Sequence, residues 1–96
     1  MRSIEFLPAA ADDYSTARRW YAERSPQAAL AFETAVDAAV ERIAERPESW
    51  PLCDERHRYY ILRRFPFSLI YRFDGDHIIV VAVAHSSRES TYWFTR

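Results

Sequence analysis

The 96-residue chain has one glycine, one cysteine and no lysine. Each scarcity removes a class of function. A single glycine, Gly75, leaves no Gly-rich phosphate loop and no dinucleotide fingerprint, and it excludes collagen-like and Gly-linker compositions. A single cysteine, Cys53, excludes an intrachain disulfide and a cysteine-cluster zinc site, and it suits a reducing compartment. The longest apolar run, Ile78 to Ala84, is seven residues, against about 20 for a membrane-spanning helix. Met1 to Pro8 lacks the apolar stretch of about 7–15 residues that a secretory signal needs. His57, His77 and His85 do not fall at helical metal-ligand spacing. A cytoplasmic protein with no metal and no cofactor is expected.

What is present describes a packed globule: 49% hydrophobic, 16% aromatic and 28% charged residues. That mixture is unlike a disordered chain, which is poor in apolar residues and strongly charged. The length implies a single domain over residues 1–96, burying about 60–65% of the unfolded surface. The net charge of −1 argues against a general nucleic-acid binder, but its distribution is uneven. Residues 1–50 hold six arginines and nine acids; residues 51–96 hold seven arginines and five acids. All thirteen basic residues are arginine, whose planar fork grips carboxylates and phosphates at two points. The basic second half therefore implies either a local surface for an anion or acidic partner, or simply solvated surface arginines.

Periodicity divides the chain into a strand, two helices and a strand-rich half. Ser3 to Leu7 alternates Ile4 and Phe6 against Glu5, as a short strand does. Pro8 suits a first helical turn, and Ala10, Tyr14, Ala17 and Tyr21 follow as one helical stripe. Ser25-Pro26 breaks this helix and starts the next, with Ser25 as cap. Ala29, Phe32, Val36, Ala39 and Ile43 form the second stripe, which ends before Pro47. So short a break predicts an antiparallel helical hairpin. The runs Arg58–Phe65, Phe67–Phe73 and His77–His85 read as strands, and Asp74-Gly75 supplies a tight turn between the last two. The third run is apolar on both faces. Strict alternation puts Ile79, Val81 and Val83 on one side and Ile78, Val80, Ala82 and Ala84 on the other. Such a strand belongs inside its sheet, with the helices on one face and Tyr92, Trp93 and Phe94 over the other.

The segment Arg63-Arg64-Phe65-Pro66-Phe67-Ser68-Leu69-Ile70-Tyr71, then His85-Ser86-Ser87-Arg88 and Tyr92-Trp93, resembles the RelE/ParE superfamily of bacterial toxins. With the helical hairpin before it, the resemblance covers nearly the whole chain. It is nearer the ParE-like branch, the plasmid-stabilisation proteins, than the RelE nucleases. It implies an α+β fold: an N-terminal strand and a helical hairpin packed on a twisted antiparallel sheet. It also implies the toxin of a type II toxin–antitoxin pair, neutralised by a protein antitoxin that wraps a helix and an extended segment around it, in a possible heteromer.

Two activities follow from the resemblance. ParE-like toxins act on DNA gyrase. RelE-like toxins cut messenger RNA on the ribosome, using basic and aromatic residues around the scissile phosphate. Arg88 matches an arginine of that nuclease set, whereas the strand arginine falls on Ser68 and the lysines have no counterpart. The incomplete set favours gyrase as the target. An endoribonuclease, with Arg88, His85 and Arg64 as candidate catalytic residues and Tyr92, Trp93 or Phe94 stacking a base, is the alternative, and a non-toxic antitoxin-binding module is a third reading.

Candidate target- or antitoxin-binding residues are Arg63, Arg64, Arg88, Tyr92 and Trp93. Arg63 and Arg64, if on a strand, point to opposite faces. His85 is a proton shuttle or a strand-end histidine bonded to the backbone. Arg88 meets a partner or pairs locally with Glu89. Trp20 covers the helices or meets a partner.

Overall fold

In a computed structural model, which describes residues 2–88 and 92–96, a short strand β1 (Ser3–Phe6) leads into helices α1 (Pro8–Arg24) and α2 (Pro26–Glu45). A 3₁₀ turn at Pro47–Ser49 follows, then strands β2 (Arg58–Ile61), β3 (Phe67–Asp74) and β4 (His77–His85). The sheet order is β1-β4-β3-β2. Strands β2, β3 and β4 pair antiparallel, and β1 joins β4 in parallel, which makes the α+β sheet mixed. The chain between β1 and β4 runs through both helices and strands β2 and β3, and so long a connection permits parallel pairing.

Local chemistry sets the helix boundaries. Ser25 is the single residue between the helices; its Oγ accepts the Ala28 N–H at 3.3 Å, while Pro26 occupies the first helical turn. Arg2 donates to the Ala44 and Glu45 carbonyls at 2.8 and 3.0 Å, satisfying acceptors that a helix end leaves open. All five residues of the predicted α2 stripe are buried. Four of them, Phe32, Val36, Ala39 and Ile43, share a core with Ala10 and Ala17 of α1 and Leu69, Tyr71, Ile78, Val80 and Val83 of the sheet. Tyr71 is fully buried and its hydroxyl donates to the Pro47 carbonyl at 2.5 Å. Burial pushes that hydroxyl up to about 12.

The opposite face carries a smaller core of Ile70, Val81, Ala82 and Trp93, flanked by Tyr59, Ile79, Ala84 and Tyr92. Trp93 thus covers this face as expected, whereas Phe94 stays about half exposed. Tyr59 and Tyr60 divide between the two cores. Beneath Trp93, the buried His57 ring lies 5.0 Å away, edge-on, with Nδ1 2.9 Å from the Asp54 carboxylate. Burial alone would raise the Asp54 carboxyl, but the Arg56 and His57 backbone N–H groups and the His57 ring hold it below its ordinary value.

Two expectations fail, each for a backbone reason. Arg58–Phe65 is not one strand: β2 ends at Ile61, and residues 63–66 form the loop to β3, closed by the Leu62 N–H donating to the Phe67 carbonyl at 2.9 Å. Arg64 has φ 70°, a left-handed conformation that costs a non-glycine residue roughly 1–2 kcal/mol. Arg63 and Arg64 are therefore exposed loop residues rather than alternating strand residues. Secondly, β4 does not alternate strictly. Ile70 pairs with Ala82 and Tyr71 with Val80, which leaves Val81 as the extra residue of a β-bulge. Ile78, Val80 and Val83 meet the helices, while Ile79, Val81, Ala82 and Ala84 meet the second core. Gly75, at φ 57°, does open the tight β3–β4 turn.

Candidate functional site

The bulge decides where the end of β4 points. Past Val81 the alternation is reset, so His85, paired with Phe67, falls on the side of Val83 and the helices. A bulge re-aims side chains in this way wherever it inserts one residue. Beyond the reach of β1, the outer edge of β4 is closed by side chains instead of a strand. Asp13 of α1 accepts the Val83 N–H at 3.1 Å, and Arg96 donates to the Val81 carbonyl at 3.0 Å. Arg96 also grips Asp13 at two points, 2.7 and 3.3 Å. The Asp13 bond, reinforced by its charge, pushes the Arg96 guanidinium further up.

Next to this clasp, α1 and the ends of β3 and β4 enclose a cleft of about 480 Å³. Asp12, Asp13, Arg88 and Tyr92 line it together with Trp20, Tyr21, Pro66 and Phe67, and His85 and Val83 complete the wall. A smaller groove of about 260 Å³ lies on the other sheet face beside Ser68, Ile70, Ala84, Trp93 and Phe94. His85 and Arg88 line both, so the β4 end is the corner where the two grooves meet.

The corner is ordered by its own side chains. His85 Nδ1 accepts the Ser87 backbone N–H at 3.0 Å and lies 2.7 Å from the Ser87 hydroxyl. The Arg88 backbone N–H donates to the His85 carbonyl at 3.0 Å. Nδ1 is thus an acceptor, which leaves the neutral ring's proton on Nε2. The Arg88 guanidinium lies over the Tyr92 ring, 3.8 Å from its centroid, and that of Arg96 lies 5.0 Å from the same ring. Burial, then the Asp13 charge, push the Tyr92 hydroxyl up. Arg88 makes no ion pair among the described residues; Glu89, its expected local partner, lies outside them.

Of the residues singled out from the sequence, the structure brings together His85, Arg88, Tyr92 and Trp93. Arg63 and Arg64 line neither groove. Trp20 is half exposed on the wall of the cleft, with the Arg24 guanidinium 3.5 Å from its ring. Asp13 and Arg96 were not legible as site residues: 83 positions separate them, and no local pattern links them. Among the described residues no cluster of His, Cys, Asp and Glu could hold a metal ion, and no helix is long and apolar enough to cross a membrane.

The same architecture occurs in a solved structure of the chromosomal ParDE TA system from P. aeruginosa. The two chains superpose with a TM-score of 0.76 at 22% identity, over 88% of this chain and 96% of that one. At that identity the likeness shows a shared fold. The sequence profile described as ParE toxin of type II toxin-antitoxin system, parDE, matches residues 4–90, and the chain belongs to this family. No curated protein matches the sequence.

Proposed function

We propose that the chain is the toxin of a type II pair, held in check by a small protein antitoxin and acting on DNA gyrase when released. The family match over residues 4–90 supports the toxin role. One observation at the corner carries the choice of target: Arg88 and His85 stand there without the rest of a phosphoryl-transfer set. Cleavage of RNA by 2′-hydroxyl attack needs proton transfer together with donors aimed in advance at the phosphorane. His85 Nδ1 is engaged by Ser87, Arg64 sits in the β2–β3 loop, and Ser68 stands where the nuclease arginine would. The Arg88 guanidinium covers the Tyr92 ring on which a base would stack. A toxin that works by gripping a protein needs an ordered surface and none of that chemistry.

The purified toxin should trap gyrase–DNA cleavage complexes or block supercoiling, and the antitoxin encoded beside it should reverse the effect. Normal supercoiling with excess toxin rejects gyrase. New codon-associated 5′ ends on translated messages would transfer the chain to the nucleases. Unimpaired growth during strong expression without antitoxin would leave a binding module.

A further inference from the structure

We infer that the outer edge of β2 takes an extended, acid-bearing segment of gyrase as an added strand, with Ile61 at the centre of the pairing and the Arg63 and Arg64 guanidiniums on its carboxylates. The inference rests on the gyrase reading and names the surface and the chemistry of that contact.

Strand β2 stands last in the sheet order β1-β4-β3-β2, so one of its sides meets no strand of the sheet. The ladder decides which groups point that way. The Leu62 N–H donates to the Phe67 carbonyl, and bonded pairs alternate along an antiparallel ladder. Arg58, Tyr60 and Leu62 therefore turn their backbone groups to β3, while Tyr59 and Ile61 turn theirs outward. The first half of the outer side is taken by residues 51–53. The Tyr59 N–H donates to the Pro51 carbonyl at 3.0 Å, and the Cys53 N–H to the His57 carbonyl at 2.9 Å. Pro51 has no N–H to return, so the Tyr59 carbonyl stays open. The Ile61 N–H and carbonyl follow it, with no backbone partner among the described residues. The Ile61 side chain is apolar yet 64% exposed. An open row of ladder groups beside such a side chain is a template on which an extended chain adds a strand.

The charge around this edge selects the occupant. Residues 56–64 hold four arginines and no acid. Two copies of the chain paired edge to edge would set these cations against one another, and like charges across a strand pair repel. A nucleic-acid backbone would meet the cations, but its phosphates only accept hydrogen bonds and leave the open carbonyls unanswered. An extended polypeptide with carboxylates satisfies both. Arg63 and Arg64 are exposed and make no ion pair among the described residues. Their loop is fixed: Phe65 packs in the helix-side core, and the Ser86 N–H donates to the Pro66 carbonyl at 2.8 Å. This holds Arg64 at φ 70°, a conformation that persists where the surroundings over-determine it. The backbone thus plants two guanidiniums just past the open edge, where their planar forks meet a carboxylate of the added strand.

The test uses the full-length toxin with gyrase holoenzyme, relaxed plasmid and ATP. The readout is the toxin concentration that halves supercoiling, with circular dichroism reporting the fold. Ile61→Pro removes the outward N–H and leaves the bonds to β3 in place, a position where a sheet tolerates proline. It should raise the half-inhibitory concentration at least tenfold, the scale of a lost bond in a blocked strand. Arg64→Gly suits the left-handed backbone and deletes the guanidinium; it and Arg63→Ala should each raise that concentration about fivefold. All three should keep wild-type affinity for the antitoxin encoded beside the toxin. Wild-type inhibition by folded Ile61→Pro overturns strand addition, and impaired arginine variants beside it would assign the contact to DNA phosphate. Wild-type inhibition by both arginine variants overturns the acidic segment. Lost antitoxin binding with unchanged inhibition overturns gyrase as the occupant, and so does a toxin dimer in sedimentation that Ile61→Pro dissociates. Should Ile61→Pro not fold, hydrogen exchange in the wild type decides: slowed exchange of the Ile61 amide in the gyrase complex supports the inference, and unchanged exchange overturns it. If wild-type toxin leaves supercoiling normal, the gyrase reading itself falls; if wild-type toxin inhibits and the variants inhibit equally, this inference falls alone.

Discussion

Removal of the Asp13 carboxylate isolates the clasp that closes the β4 edge. Asp13→Ala deletes the acceptor of the Val83 N–H and both bonds to Arg96. The two side chains are 14% and 19% exposed, between a surface pair, worth about 0–1 kcal/mol, and a buried pair, whose breakage costs about 3–5 kcal/mol. The orphaned backbone donor adds roughly 1 kcal/mol, so the expected loss is about 2–4 kcal/mol. Asp13→Asn keeps an oxygen for Val83 but surrenders the charge, and should cost about half as much. Asp12→Ala, one residue away and exposed, serves as control and should fall within about 0.5 kcal/mol of wild type. Urea unfolding read by tryptophan fluorescence gives all three from the midpoints, at an m-value of about 1–2 kcal/mol/M. If Asp13→Ala unfolds at the midpoint of Asp12→Ala, the clasp contributes no stability and this reasoning is refuted.

Three further outcomes follow from the core. Tyr71 holds its proton up to about 12 in the folded protein and loses it near 10 when unfolded; its stabilisation is complete below pH 10 and falls between pH 10 and 12 by roughly 3 kcal/mol, so the alkaline decline in stability should flatten in Tyr71→Phe. Trp93→Ala strips the cover from Ile70, Val81 and Ala82 and should cost about 3–5 kcal/mol; a loss below about 1 kcal/mol in thermal or urea unfolding would mean that the second face needs no cover. At Gly75 an added Cβ meets no atom but φ is 57°, so Gly75→Ala should cost about 1 kcal/mol through backbone strain, and an unchanged midpoint would refute a left-handed turn.

How much of the site the sequence announced depends on the range of the forces. The α2 stripe from Ala29 to Ile43 is buried residue for residue as its spacing requires, because a helix repeats its own geometry every 3.6 residues. Ser25, Pro26 and Pro47 act through neighbours within a few residues, and Gly75 through its own φ. The His85–Arg88 corner was visible for the same reason, as one contiguous segment. Arg63 and Arg64 were misplaced because a run of β-forming residues does not show where a strand stops; Pro66 and the left-handed Arg64 end it.

Composition, periodicity and local turn chemistry thus determined on their own the order of elements, the helical core and the buried central strand. Each of these is specified by interactions between residues close along the chain. Only the tertiary structure decided that Val81 bulges and turns His85 toward the helices, that Asp13 and Arg96 close the edge of β4, and that Arg88 rests on Tyr92 at the mouth of a cleft. These features depend on strand register and on groups separated by most of the chain, and neither leaves a periodic trace in the order of residues.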